Sequence, residues 1–243
     1  MCGRFVSATP PDQIAAYFGA EAPEALLEPS YNVAPTNDVY AVLADGSTRH
    51  LDAFHWGLVP LWAKDPKIGS KMINARAETL AEKNAYKSAF KRRRCLIPAD
   101  GFYEWHKRPD APAKAKKQPY FIHRVDGEPV AFAGLWEVWK GPDKDQEPLR
   151  SCTIITTSPN ETMARIHDRM PVILPPSAWD TWLDRDNDDL DLLGKLLVPC
   201  PAQLITMHPI SIEVNNVRNK GPQLIEEAPP LDDEVTDAAE ASP

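Results

Sequence analysis

Cys2 is the residue whose position could support the least ordinary chemistry. Loss of Met1 would leave it with a free α-amine and a thiol on adjacent carbons. Model values of about 7.7–8.0 for an α-amine and about 8.5 for a thiol give usable fractions of both nucleophiles near pH 7. Such an amine condenses with an aldehyde to an imine, and the neighbouring sulfur can close a five-membered thiazolidine. Holding the two groups together makes the second step intramolecular, which raises effective concentration by orders of magnitude. An internal cysteine cannot do this, because its nitrogen is an amide. Gly3 and Arg4 follow, so a flexible residue and a cation sit beside the nucleophile.

Other segments supply groups that could move protons, orient an amine or grip an anion. In Phe102-Tyr103-Glu104-Trp105, strand alternation puts Glu104 on the same face as Phe102. The acid would then sit beside apolar surface, a setting in which a carboxyl can protonate a departing oxygen. His167-Asp168-Arg169 reads as the end of a short helix, where the dipole favours imidazolium. Asn74 could orient an amine and Arg76 could hold a phosphate. Trp62 could stack on an unpaired base. Each residue also has an ordinary use: an exposed strand Glu, a helix-terminal His, an Asn cap at a loop-to-helix boundary, a core Trp.

The elements that must position these residues are mostly short strands. Residues 39–43, 49–56, 102–106, 120–125, 130–138 and 152–157 are rich in β-branched or aromatic side chains and bounded by Gly, Pro or Asp. Helical patterns are brief. One opens at Thr9-Pro10 and runs to about Gly19, and others cover about 177–182 and 188–197. Another starts at Ser158-Pro159-Asn160-Glu161, with capping-box spacing, and ends near His167. The expectation is an α+β fold: a single domain with a curled, mainly antiparallel, barrel-like sheet core and peripheral helices. Regular βαβ alternation, GxGxxG and Walker loops are absent, which removes the nucleotide-fold readings.

Charge divides the chain unequally. Net charge is −8, but residues 226–243 hold seven acids and no base, and without them 28 acidic face 27 basic residues. The expected division is a domain over 1–225 and an acidic, disordered tail over 226–243. Basic clusters at Lys91-Arg92-Arg93-Arg94 and Lys114-Ala115-Lys116-Lys117 leave room for a polyanionic partner despite the negative total. The four cysteines are scattered without a CxxC pair, so neither a metal site nor a cofactor is expected. With no apolar run of about 18 residues and no secretory leader pattern, the expectation is a cytoplasmic protein without a membrane partner.

Seven segments carry a resemblance: MCGRF at the start, YNVAPT at 31–36, WGLVPLWAKD at 56–65, INARAET at 73–79, CLIPADGFYEW at 95–105, IHDRMPVIL at 166–174 and VNNVRNKGP at 214–222. In this order they resemble the SOS-response-associated peptidase (SRAP) family of abasic-site processing factors. The resemblance implies a groove for single-stranded DNA and a thiazolidine DNA–protein crosslink formed by the mature Cys2 on a ring-opened abasic sugar. It assigns Asn74 to position the amine, Glu104 to ring opening and His167 to a second proton transfer. Arg4, Asn32, Pro35, Trp62, Arg76 and Arg169 become candidate DNA contacts. Where some relatives carry two adjacent tryptophans, this chain has Leu61-Trp62. The implied protein is a monomer that associates with the nucleoid when bound to DNA and has replication-associated partners. Weak abasic-site lyase activity and release of its own N-terminal residue are implied side activities. Two rivals compete with this reading: a cysteine hydrolase using Cys2 and His167, and a non-covalent single-stranded DNA binder.

Overall fold

The computed structural model describes residues 2–231, apart from 109–113, 143–144 and 146. In chain order it contains β1 (Phe5–Ser7), α1 (Pro11–Phe18), β2 (Ala20–Glu21), β3 (Ser30–Val33), β4 (Asp38–Asp45), β5 (Thr48–Trp56), β6 (Asn74–Arg76), α2 (Lys87–Arg92) and β7 (Arg94–Ala99). There follow β8 (Gly101–His106), β9 (Gln118–Arg124), β10 (Val130–Trp139), β11 (Leu149–Thr157), α3 (Glu161–Ala164), β12 (Met170–Pro171), α4 (Pro176–Leu183), α5 (Leu190–Lys195) and β13 (Ile205–Pro209). Five strands close a barrel in the order β4-β5-β11-β10-β7, the only parallel seam in the ring being β5–β11 at Ser151↔His55 and Cys152↔Trp56. A second sheet, β13-β9-β8-β1-β3, packs against it. The architecture is α+β with a curled, largely antiparallel core, as expected.

Strand alternation separates two cores. Tyr40 and Val42 of β4, Leu96 of β7 and Ala131, Ala133 and Leu135 of β10 meet the apolar faces of the helices, through Phe18, Phe90, Trp179 and Trp182. The alternate residues, Val39, Ala41, Ile97, Phe132 and Ile154, join Phe5, Phe102 and Ile122 of the five-stranded sheet. Burial of both faces explains why β7 and β10 read as nearly continuous apolar runs. Each large buried side chain contributes about 1.5–3 kcal/mol of transfer free energy.

The sequence reading missed the strands with the weakest local signals. β1 and β6 have three residues each, and β7 carries Pro98, which usually argues against a strand. Pro98 is tolerated because the β4–β7 pairing is confined to Val42↔Leu96, so its missing N–H leaves no ladder bond unmade. Asn74 therefore sits on a strand, parallel to β11, and caps no helix.

Two further expectations are corrected. The helix after residue 158 is capped by Asn160, whose Oδ1 accepts from the Met163 amide at 2.9 Å, and Ser158 plays no part in that cap. It is a single turn ending at Ala164, so no helix dipole bears on His167. The basic run at 91–94 is exposed only at Lys91 and Arg92. Arg94 is buried and donates to the carbonyls of Phe90, Lys91, Trp182, Asp184 and Asn187, joining the ends of α2 and α4. Arg93 pairs with buried Glu137, and Arg92 lies 3.6 Å from Asp186. The described start of the acidic segment, residues 226–231, is hydrogen-bonded to the body; the rest lies outside the described residues. Among the described residues no helix is long and apolar enough to cross a membrane.

Candidate functional site

β1 threads the N-terminus into the second sheet. Phe5 pairs with Phe102 and Val6 with Gly101, and the Tyr103 amide donates to the Arg4 carbonyl at 2.9 Å. The same antiparallel register sets Gly3 opposite Glu104 and leaves Cys2 at the end of the pairing, next to that carboxyl. Phe5 holds the strand by edge contacts with Trp56, centroids 5.0 Å apart, and Phe132, 6.1 Å apart. Cys2 is fully buried. Burial, reinforced by the negative charge of Glu104, pushes its thiol up to about 12.

Three links join the four chemistry-bearing residues. Asn74 Nδ2 donates to the Cys2 carbonyl at 2.8 Å. Glu104, 6% exposed, acts electrostatically on the Cys2 sulfur. His167 Nε2 lies 3.8 Å from Glu104 Oε1. β6, β8 and the segment after α3 thus bring together residues separated by more than 160 positions. Asn74 Oδ1 is buried and has no hydrogen-bond partner among the described residues. A buried acceptor left open costs roughly 1–3 kcal/mol, which is recovered when a donor arrives.

The His167 ring can exchange partners. Its Nδ1 lies 3.0 Å from the Arg169 amide and 2.9 Å from an Asp168 carboxylate oxygen. The neutral ring with its proton on Nε2 accepts from Arg169 and directs its N–H towards Glu104. With its proton on Nδ1 the ring can instead donate to Asp168.

Around this centre the remaining expected residues divide by exposure. Trp62 and Leu61 are 60% and 56% exposed, an apolar pair on the loop after β5, and Arg76 is exposed at the end of β6. Asn32 is completely buried, so it cannot touch DNA in this conformation. Its amide donates to the carbonyls of Val214, Asn216 and Asn219. Its Oδ1 accepts from Arg4 Nη1 at 2.7 Å, and Arg4 also lies over the Trp105 ring at 5.6 Å. Asn32 is thus a bracket for Arg4 and the 214–219 loop. Pro35 is the second residue of a four-residue turn closed by the Asn37 amide on the Ala34 carbonyl at 3.1 Å. The third, Thr36, has φ 71°, a strained position for a β-branched residue. Arg169 forms a bidentate pair with Glu78, at 2.6 and 3.0 Å, and donates to the Thr156 carbonyl at 2.6 Å.

The sequence reading overlooked Glu78, Trp105, Asn215 and Lys220. Trp105 Nε1 donates to Asn215 Oδ1 at 2.7 Å, and Lys220 Nζ donates to the Asn32 carbonyl. All four lie inside the quoted motifs, but their roles depend on partners distant in sequence.

Known proteins resemble this chain over most of its length. A family described as SOS response associated peptidase (SRAP) matches residues 1–217. The chain is 47% identical over 228 residues to "Abasic site processing protein YoqW" of Bacillus subtilis, covering 93% of this chain and 99% of that one. It is 33% identical to "Abasic site processing protein YedK" of Escherichia coli, covering 93% and 99% respectively. It is 37% identical to "Abasic site processing protein HMCES" of Xenopus tropicalis, covering 81% of this chain and 65% of that one. A solved structure from Bacteroides thetaiotaomicron, 23% identical, superposes with a TM-score of 0.83 over 93% of this chain and all of that one, showing the same fold.

Proposed function

Because the chain belongs to the SOS response associated peptidase (SRAP) family, we propose that it processes abasic sites in single-stranded DNA by covalent capture on Cys2. The observation that carries this reading is the convergence of Asn74, Glu104 and His167 on the first residues of the chain. Removal of Met1 converts the Cys2 nitrogen from an amide into an amine. Asn74, bonded to the Cys2 carbonyl through Nδ2, keeps Oδ1 open to accept from that amine.

The steps follow from this placement. An abasic sugar is mostly a closed hemiacetal; Glu104 gives a proton to the ring oxygen while the C1′ hydroxyl releases its own, so the C1′ aldehyde forms with no net change in protons. The Cys2 amine adds to C1′, water leaves, and an imine results. His167, facing Glu104, carries protons in and out during that dehydration. The Cys2 sulfur then bonds to the imine carbon, and its proton ends on the nitrogen, closing the thiazolidine. Burial raises the thiol in the chain that carries Met1, so the proton leaves as the sulfur bonds. An imine left unclosed allows β-elimination, so weak lyase activity accompanies the main reaction.

The raised thiol weighs against a cysteine hydrolase, which needs a depressed one. Exposed Trp62 and Arg76 fit stacking on a base and a phosphate contact. The test is a denaturing gel of protein with a single-stranded oligonucleotide carrying one abasic site, after intact mass has established loss of Met1. A heat-stable shifted band that Cys2→Ala abolishes is expected. Its absence with the native protein overturns covalent capture, and a shift seen only under native conditions leaves the non-covalent binder.

A further inference from the structure

The chain does not leave the body where its acidic segment begins. Glu227 bridges Ile210, the Ala228 amide donates to the Pro209 carbonyl at 2.9 Å, and the Leu231 amide donates to Gln118 Oε1 at 2.7 Å. Gln118 is itself fixed, being buried with Nε2 on the carbonyls of Pro119 and Ile210. Leu231 is therefore held at the first residue of β9, opposite His106, the last residue of β8. Beyond it the sequence carries Asp232, Asp233, Glu234, Asp237 and Glu240, and no base.

That anchor delivers the acids to a cationic surface. The described residues of the β8–β9 connection include Lys107, Arg108, Lys114, Lys116 and Lys117, all exposed. The connection also borders the candidate site. It continues the strand of Glu104, and His106 Nδ1 lies 3.4 Å from the Ile166 carbonyl, one residue before His167. In the other basic run, at 91–94, Arg94 is buried and Arg93 pairs with Glu137, so only Lys91 and Arg92 are exposed there. Twelve residues reach at most about 40 Å when extended, and a short tether gives an effective concentration in the millimolar range.

We propose that residues 232–243 dock on Lys107, Arg108, Lys114, Lys116 and Lys117 as an intramolecular polyanion that competes there with the phosphates of single-stranded DNA. The competition rests on the function proposed above; the docking does not. Contacts between exposed charges are individually weak and screened by salt, so a strand with several phosphates can displace the tail.

Carbodiimide crosslinking with peptide mass spectrometry tests the docking on the full chain without DNA. The reagent joins carboxylates directly to lysine amines in ion-pair contact. The expected products pair acids of residues 232–240 with Lys107, Lys114, Lys116 or Lys117 at low salt and disappear near 0.5 M salt, roughly where the Debye length falls below 5 Å. No such products, or equal yields with distant lysines such as Lys64 and Lys83, would overturn the docking. For the competition, a full-length variant with Asp232, Asp233 and Asp237 changed to Asn and Glu234 and Glu240 to Gln is expected to bind an undamaged single-stranded oligonucleotide several-fold more tightly at low salt. That gain is expected to vanish when the four lysines are also changed to Gln. Equal affinity of native and neutralised tails sinks the competition. A protein that binds no single-stranded DNA sinks the proposed function and leaves the crosslinking result standing.

Discussion

The nitrogen and the sulfur of Cys2 are under different constraints. The proposed mechanism gives the nitrogen an acceptor on Asn74 once Met1 is gone, whereas burial makes the sulfur hold its proton. The histidine proposed to serve them, His167, is oriented at one remove. Glu78 grips Arg169, and the Arg169 amide meets His167 Nδ1. The pair also holds the Glu78 carboxyl below its ordinary value, chiefly through the Arg169 hydrogen bond. Glu78→Gln, which removes the charge and keeps the shape, is expected to slow crosslinking several-fold. Glu78 is half exposed, so stability should fall by no more than about 1 kcal/mol. Rate and thermal midpoint measured side by side check this, and a pH–rate profile distinguishes a displaced His167 from general loosening. An unchanged rate and profile would reduce the pair to surface decoration.

Among the elements, β11 is the stave on which the site is built. One edge of it carries β10 and then β12, and the other carries β5 and then β6 with Asn74. The loop between β5 and β6, which presents Trp62, depends on one close backbone approach. Gly57 has φ 139°, and a Cβ there would lie 2.5 Å from the Gly69 carbonyl oxygen. Gly57→Ala therefore combines backbone strain with a clash against backbone, and a loss of about 2–4 kcal/mol is expected. Denaturant midpoints measure it, and a change below about 0.5 kcal/mol would mean that the loop relaxes freely.

For the whole molecule, burial of the free thiols makes stability depend on alkaline pH. All four cysteines are buried and all four thiols are raised by that burial, Cys2 to about 12 and Cys200 to about 11. Below the ordinary value of 9.0 both folded and unfolded chains hold these protons. Above it the unfolded chain releases them first, so each thiol's contribution declines from pH 9 towards its folded value. The slope is about 1.4 kcal/mol per pH unit per thiol. Urea unfolding from pH 7 to 10.5 should be flat and then fall from about pH 9. Changing Cys95 and Cys152 to Ala should shallow the fall, and an unaltered slope in that variant would place its origin elsewhere.

The sequence by itself determined the strand-rich α+β class and supplied Cys2, Asn74, Glu104 and His167 as candidates. These are local properties: alternation sets the two faces of a strand, and only an N-terminal cysteine can become an aminothiol. Motif order added the family. The tertiary structure alone decided that Asn32 is a bracket, that the arginines at 91–94 face inwards or into ion pairs, and that Glu78 steadies Arg169. It also decided that the acidic segment is tied down as far as Leu231. Each of these depends on which partner a polar group finds across many residues of chain. Residue type fixes what a donor, acceptor or charge can do; chain packing fixes whether it meets solvent, a carbonyl or another side chain.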